Sequence, residues 1–390
     1  MDNFVQTPIQ LILFFILYGV TGAMPLLAAL YLLLRRGNAF APDITPPVRL
    51  RRWAASFFAV SALGHVWWLL FYVYSRNYHS MEDAVHSVGY VAIVVFDCVT
   101  VLTTLAGTLL SMLQDRRRRI WPVLVAMIPF VALDGVYLLN PNGLFVQIAF
   151  AYVLLFYVLF TVYMVFAVRR YGQWLNDNYA DLENKKVWLS MVVALGSLSL
   201  FIIYTFVDID SILLVYLMHF TELVMFVLLL WRVETLAQLE SISTEKVSDA
   251  SILKTEGEPD VPTSVQQPSS SPISIDLTLI EQQLAEHCVA NQLYLRHNLT
   301  LQELAQAVGT NRSYLSQYFS RQGITYNTYI NNLRINHFIS RYQELTQAGE
   351  PIVALQLAQE SGFRSYSTFG RAFMQRTGQS VTVWMRETTE

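Results

Sequence analysis

From Pro8 to Leu34 the chain carries no charged side chain, and this run is long enough to cross about 30 Å of hydrocarbon as a helix. Six more apolar stretches follow, at approximately Trp53–Tyr74, Val88–Leu113, Ile120–Leu139, Leu144–Val168, Val187–Val207 and Ile212–Trp231, which makes seven expected spans. Composition agrees: 54% hydrophobic and 14% charged residues over 390 positions, with mean hydropathy +0.38, do not describe an ordinary soluble protein. Asp2 precedes the first stretch and Arg35-Arg36 follows it, the wrong polarity for a cleavable signal peptide.

Basic residues fall on one set of loops. Arg35, Arg36, Arg49, Arg51 and Arg52 follow span one, Arg116 to Arg119 follow span three, and Arg169, Arg170, Lys185 and Lys186 follow span five. The opposite loops offer only Arg76, with nothing basic around Asn140–Gly143 or Asp208–Ser211. Loops rich in lysine and arginine stay in the cytoplasm, so the N-terminus is expected outside and the C-terminus inside. Trp53, Trp121, Trp188 and Trp231 at span ends read as interfacial anchors. Pro25, Pro122 and Pro129 lie inside spans, where they can kink a helix.

Five ionisable residues lie within spans: His65, Asp97, Asp134, His219 and Glu222. Charge in hydrocarbon costs a few kcal/mol or more per residue and marks either a site or a buried polar pair. His219 and Glu222, spaced i, i+3, share a helix face. The external loops are short, so a signal must be read at the outer surface or between helices. The five are therefore taken as candidates for a polar pocket that binds a small inducer or senses protonation; interhelical hydrogen bonding is the alternative. No metal or cofactor is expected, because no zinc or redox spacing is present and no attachment motif supports haem ligation by the two histidines. Cys98 and Cys288 lie in different regions, so no disulfide is expected.

Past Trp231-Arg232 the seventh helix has the composition to continue through Leu236 and Leu239. Ser241–Ser274 is rich in Ser, Thr, Pro, Glu and Gln, and has too few apolar residues to fold. A flexible tether of that length spans about 30–35 Å. Such a tether cannot act as a lever, which leaves altered self-association or proteolytic release as routes for a signal. The expected organisation is a seven-helix transmembrane sensor domain over 1–235, a linker over 236–274 and a soluble all-α domain over 275–390.

The soluble part has a regular plan. Ile275–Leu295 forms a leading helix, with Leu277, Ile280, Leu284, His287 and Cys288 on one side. Leu301–Gly309 has apolar residues at helical spacing closed by a glycine. Thr310 and Asn311 then cap a helix over Arg312–Ser320, with Tyr314, Leu315, Tyr318 and Phe319 inward and Ser313, Ser316 and Gln317 outward. Helix, glycine turn and helix with a polar outer face is the geometry that sets a recognition helix in the major groove. The plan repeats, with a connecting helix over Thr328–Leu345 (Ile330, Leu333, Phe338 and Tyr342 buried), a support helix over Pro351–Ser361 (Ile352, Leu355 and Ala358 inward), a Gly362-Phe363 turn, and a second recognition helix over Ser365–Thr377 with Phe369, Ala372 and Phe373 inward.

The landmarks LTLQELAQAVGTNRSYLSQYF, YINNLRI with Arg334, and LAQESGFRSYSTFGRAF resemble the DNA-binding domain of AraC/XylS-type transcription regulators over roughly the last 100 residues. The resemblance implies that both recognition helices enter adjacent major-groove segments. By position, Ser313, Ser316 and Gln317 would meet bases from the first unit, and Tyr366, Ser367, Gly370 and Arg371 from the second. Arg371 is the strongest of these, since its planar fork can bind guanine O6 and N7 together. Arg312, Arg321, Arg364 and Arg376 are expected to clamp phosphates. This chain departs from the family's pattern at Gln317, Phe338 and Val381, where an arginine, a small residue and a proline are usual. From Asp276 onward there are nine arginines, no lysine and nine acids, so the domain's formal charge is about zero.

No catalytic constellation appears, so an enzyme is not expected. The expectation is an all-α membrane-bound transcription regulator in a bacterial inner membrane, partnered by double-stranded promoter DNA, the bilayer, a small inducer and a second copy of itself as a homodimer. A seven-helix receptor or transport protein whose cytoplasmic domain binds a partner protein is the competing reading.

Overall fold

The computed structural model describes residues 7–75, 77–78, 87–140, 143–206, 212–239 and 277–389. Asp2, Arg76, Asp208–Ser211 and the tether Ser241–Ser274, all used above, lie outside the described residues. Fourteen α-helices make up almost all of the described secondary structure, and the nearest thing to a strand is an isolated bridge between Tyr179 and Thr300. The chain divides into two units, one of Met1–Gly172 with Asn184–Leu239 and one of Gln173–Glu183 with Glu240–Glu390.

The first unit holds α1 (Pro8–Leu34), α2 (Val48–Ser75), α3 (Val88–Met112), α4 (Trp121–Leu139), α5 (Gly143–Asn178, entering the second unit at its end), α6 (Trp188–Phe206) and α7 (Ile212–Thr235). Six of the seven are long and apolar enough to cross a membrane; α6 contributes a shorter apolar stretch, Trp188–Leu200. α1 begins on a capping box, with the Thr7 hydroxyl and the Gln10 side chain exchanging backbone hydrogen bonds. Large apolar side chains such as Ile9, Ile16, Leu27 and Leu33 on α1, and Leu124 and Ile128 on α4, stand exposed. Lipid solvates such a surface and water does not, so these helices have no soluble alternative.

Helix packing follows from small residues. A Cβ built on Gly107 of α3 would lie 2.4 Å from the Trp53 ring of α2, and one on Gly64 of α2 would lie 2.7 Å from Asp97 Oδ1. Between membrane helices, where lipid competes for every apolar contact, close approach at small residues supplies much of the packing. The ends of α1 and α7 are joined by a buried ion pair, Arg35 to Glu234 at 3.1 Å. Tyr31 donates to the same carboxylate and the Asn38 amide donates to the Glu234 carbonyl, so the charges are not left unpaired.

The structure corrects the expectation that α7 continues through Leu239. The helix ends at Thr235, and residues 236–239 run on as non-helical chain. The Ala237, Gln238 and Leu239 amides donate to the Asn184 carbonyl, the Thr45 carbonyl and Gln114 Oε1, while Leu236 and Leu239 are buried. These partners and the burial of two leucines outcompete another helical turn. Conversely, α5 does not stop at Arg169-Arg170. Its 36 residues measure about 54 Å, beyond any hydrocarbon core, and Tyr171 and Leu175 past the arginines are buried.

The second unit contains α8 (Leu277–Leu284), α9 (Leu301–Ala307), α10 (Arg312–Arg321), α11 (Tyr326–Ala348), α12 (Ala354–Glu360), α13 (Tyr366–Thr377) and α14 (Val381–Thr389). The single leading helix expected over Ile275–Leu295 is instead α8, a π-turn at Ala285–Ala290 and a 3-10 turn at Leu293–Leu295. The break comes at Gln292, which adopts left-handed φ (52°), a conformation no α-helix contains. Leu284, Cys288, Leu304, Leu315, Phe319 and Ile330 help form one core, while Phe338, Leu357, Phe363, Phe369, Phe373 and Val381 help form another. The support helix begins at Ala354 and not at Pro351, and this later start turns Leu357 inward and leaves Leu355, an expected core residue, 49% exposed.

Arg334 of α11 lies at the junction of these cores and is 1% exposed. Its Nε donates to the Tyr294 carbonyl (2.7 Å) and its Nη2 to the Arg296 carbonyl (2.6 Å), and the guanidinium lies over the Phe363 ring at 5.7 Å. Burial pushes its pKa down to about 10, which still leaves it charged at neutral pH. Gly362 closes against the same group. It has φ +89°, and an added Cβ would meet the Leu295 carbonyl oxygen at 2.8 Å and Arg334 Nε at 3.0 Å, so only glycine fits this turn.

Candidate nucleic-acid interface and membrane cluster

The first helix-turn-helix is built from local signals. Thr300 and Glu303 form a capping box at the start of α9, Gly309 takes φ +74° in the turn, and Asn311 accepts from the Tyr314 amide to start α10. Leu315, Tyr318 and Phe319 are buried, which leaves Ser313 and Gln317 exposed and Ser316 half-buried on the other face. Ser365 caps α13 by accepting from the Thr368 amide, and Phe369 and Phe373 are buried. Tyr366, Ser367 and Arg371 are consequently exposed, and Gly370, half-buried, sits among them without a side chain to obstruct approach.

The distribution of charge matters more than its sum here. Of the arginines from Arg296 onward, Arg334 is buried, while Arg296 and Arg341 are paired with Glu303 (3.7 Å) and Glu344 (2.5 Å). Arg321, Arg364, Arg371 and Arg376 are exposed on, or next to, α10 and α13. A domain of zero formal charge thus places four exposed arginines on or beside the two helices with polar outer faces, with Arg386 exposed on α14. The Arg371 side chain curls onto the Ser367 carbonyl (Nε to O, 3.4 Å), a weak tether from which it can extend.

Arg312 is placed differently from the other expected clamps. Its Nε and Nη2 donate to Asn178 Oδ1 at 2.9 and 2.5 Å, and burial lowers its pKa. Residues 178–180 also meet the starts of two other helices. The Ala180 amide donates to the Leu299 carbonyl at 3.4 Å, Tyr179 bridges to Thr300, and the Asn327 side chain donates to the Tyr179 and Ala180 carbonyls. Ala180 itself is part of the first core. Sequence reasoning missed Asn178, Tyr179, Ala180 and Asn327. The available signal was the apolar spacing of Tyr171, Leu175 and Tyr179, which continues the helix past Arg169-Arg170.

In the first unit the five intramembrane polar residues separate into three groups. His65 of α2 with His219 and Glu222 of α7 converge, one ligand atom from each lying within 4.8 Å of the others. Asp97 of α3 is beside them and accepts from the Trp68 indole at 3.3 Å, with Gly64 of α2 against its other oxygen. Asp134 of α4 lies apart, in a groove it shares with Val91, Val95, Val99 and Leu138, and its Oδ2 has no hydrogen-bond partner among the described residues. The structure therefore brings three of the five together, places the fourth next to them and leaves the fifth elsewhere.

A family model described as a helix-turn-helix domain matches residues 304–387. The match covers both recognition helices and lies within the region whose motifs resemble AraC/XylS-type regulators. No curated protein and no solved structure matches the chain.

Proposed function

We propose that this chain, which carries an AraC-type helix-turn-helix domain after its long apolar helices, is a transcription regulator held in a bacterial inner membrane. Its N-terminus lies outside and its C-terminal domain is in the cytoplasm, where it binds specific promoter DNA under control of a signal sensed in or at the membrane. The observation that carries this reading is the pairing of two capped helices, α10 and α13, each with a buried apolar face and an exposed polar face bordered by arginines. The basic loops on one side of the apolar helices support the orientation, because they put the helix-turn-helix domain on the same side as the chromosome.

A direct test is electrophoretic mobility shift with residues 275–390 and duplexes from upstream of their own or a neighbouring gene. Arg371→Ala is expected to weaken binding about 10- to 100-fold at its cognate base, the loss of one bidentate contact of roughly 1–3 kcal/mol. If neither protein shifts any such duplex, a partner protein takes the place of DNA in this reading.

Control acts through Arg312. Segment 178–180 covers the starts of α9, α10 and α11, and helix starts in such domains face phosphates. DNA must therefore displace Asn178 from Arg312 to gain that contact. Asn178→Ala in the full-length chain is expected to raise DNA affinity roughly tenfold, the worth of a hydrogen bond to a charged group. Equal affinities in a fluorescence anisotropy titration would show that the segment does not compete. Self-association of two chains, which presents two such domains together across a slack tether, is the second route by which a membrane signal reaches the promoter.

A further inference from the structure

We propose that His65, Glu222 and His219 form a binding site for a first-row divalent cation of the zinc class, which ties α2 to α7 inside the apolar unit. The inference rests on the reading of that unit as the sensor and names the chemical class of its ligand.

A backbone carbonyl fixes the orientation of the His65 ring. Its Nδ1 lies 2.9 Å from the Ser61 carbonyl, one turn back on the same helix, and a carbonyl can only accept. Nδ1 is therefore the donor, and Nε2 is the ring nitrogen left to act as a ligand. Nε2 lies 3.9 Å from Glu222 Oε2, beyond hydrogen-bond length. His219 Nδ1 lies 3.7 Å from the same carboxylate oxygen. Two imidazole nitrogens and one carboxylate oxygen, gathered within 4.8 Å of one another in apolar surroundings, are a donor set suited to a divalent cation. Metal bonds of about 2.0–2.2 Å at tetrahedral angles put neighbouring donor atoms roughly 3.4 Å apart, so donors that already lie within 4.8 Å of one another close on a metal by side-chain adjustment alone.

The surroundings hold the donors in place. An imidazole whose other nitrogen donates to a backbone carbonyl has the fixed tautomer and ring orientation typical of a metal ligand. Tyr18 of α1 packs its ring 5.2 Å from that of His65 and 5.7 Å from that of His219, and its hydroxyl donates to the His65 carbonyl at 2.6 Å. The buried Thr21 hydroxyl lies 3.0 Å from the Leu17 and Tyr18 carbonyl oxygens and 3.4 Å from His219 Nδ1, and so borders that ring. Two histidines and one carboxylate leave a fourth position for water or an incoming ligand. The carboxylate offsets part of the metal's charge, which matters where hydration is poor. Since α7 ends only a few residues before the tether, occupancy would fix the last apolar helix against α2.

The test uses the full-length chain in lipid nanodiscs, stripped with a chelator and titrated with cobalt(II) alone. One cobalt per chain and visible ligand-field bands are expected, with the bands abolished by equimolar zinc(II). Glu222→Gln, which keeps the side chain's volume, and the double variant His65→Ala, His219→Ala are each expected to bind more than about 100-fold more weakly, with unchanged elution on size exclusion confirming an intact fold. A wild-type chain that takes up no cobalt would overturn the site, as would variants that bind as tightly as the parent. Should the double variant fail to fold, the wild-type titration and Glu222→Gln decide. DNA is absent from this experiment, so its failure leaves promoter binding untouched, and failure to bind promoter DNA leaves the metal site standing.

Discussion

Replacing Arg334 with alanine is expected to destabilise the C-terminal domain by about 3–5 kcal/mol, the range for dismantling a buried, hydrogen-bonded charge. The guanidinium occupies space that only its planar fork fills. It satisfies two carbonyls of the segment before α9, at Tyr294 and Arg296, and it lies over Phe363 in the second core. Removing it leaves those carbonyls buried without donors and opens a cavity, so the two losses add. Arg334→Lys keeps the charge but has a single ammonium head, and is expected to recover part of the loss. Against a total stability of about 5–15 kcal/mol for a domain, the alanine variant should approach its unfolding midpoint. Urea denaturation of residues 275–390, followed by fluorescence of Trp384, the one tryptophan in that stretch, measures it. A midpoint within error of the parent would remove Arg334 from this role.

Phe369→Ala is expected to cost a similar amount, about 3–5 kcal/mol, but to act on the second recognition helix alone. The Phe369 ring is completely buried, 4.5 Å from the Phe338 ring and 5.3 and 5.6 Å from those of Phe363 and Phe373. α13 contributes Tyr366, Ser367 and Arg371 only while this cluster fixes its rotation, so loss of Phe369 should abolish readout by the second unit. The first unit rests on a different core, through Leu304, Leu315 and Phe319. Footprinting on a full-length site should therefore show protection shrinking to one major-groove segment. Intact protection of both segments would mean that Phe369 is not what holds α13 in register.

The same cluster accounts for two departures from the AraC/XylS-type pattern. Phe338 replaces a small residue and Val381 replaces a proline, and both are buried in the second core, with Phe338 also 6.5 Å from the Trp384 ring. Both side chains fill a core built largely from aromatic rings, away from the exposed face of α13.

The helix-turn-helix units were legible because their boundaries depend on local chemistry. The Asn311 cap and the Gly309 and Gly362 turns each act within a few residues of themselves. Where a boundary depended on distant partners, sequence reasoning failed. A helix started at Pro351 turns Leu355 inward, whereas α12 begins at Ala354. α7 was extended through Leu239 because nothing in the local pattern reveals that Thr45, Gln114 and Asn184 would capture that backbone. The apolar helices were visible from hydropathy alone. Which polar residues meet among them was not, since His65 and His219 come from helices far apart in sequence, and Asp134 has the same intramembrane character yet lies in another groove. The docking of residues 178–180 escaped notice for a similar reason: Arg169-Arg170 marks the end of a span but not the end of a helix.

Occupancy of the chromosome by the full-length chain, mapped by crosslinking and immunoprecipitation through a tag after Glu390, decides whether the protein binds promoters from the membrane. Discrete enriched promoter segments are predicted in the membrane-bound fraction, lost with Arg371→Ala at equal protein level. Enrichment at no locus, or the same loci with and without Arg371, would contradict it.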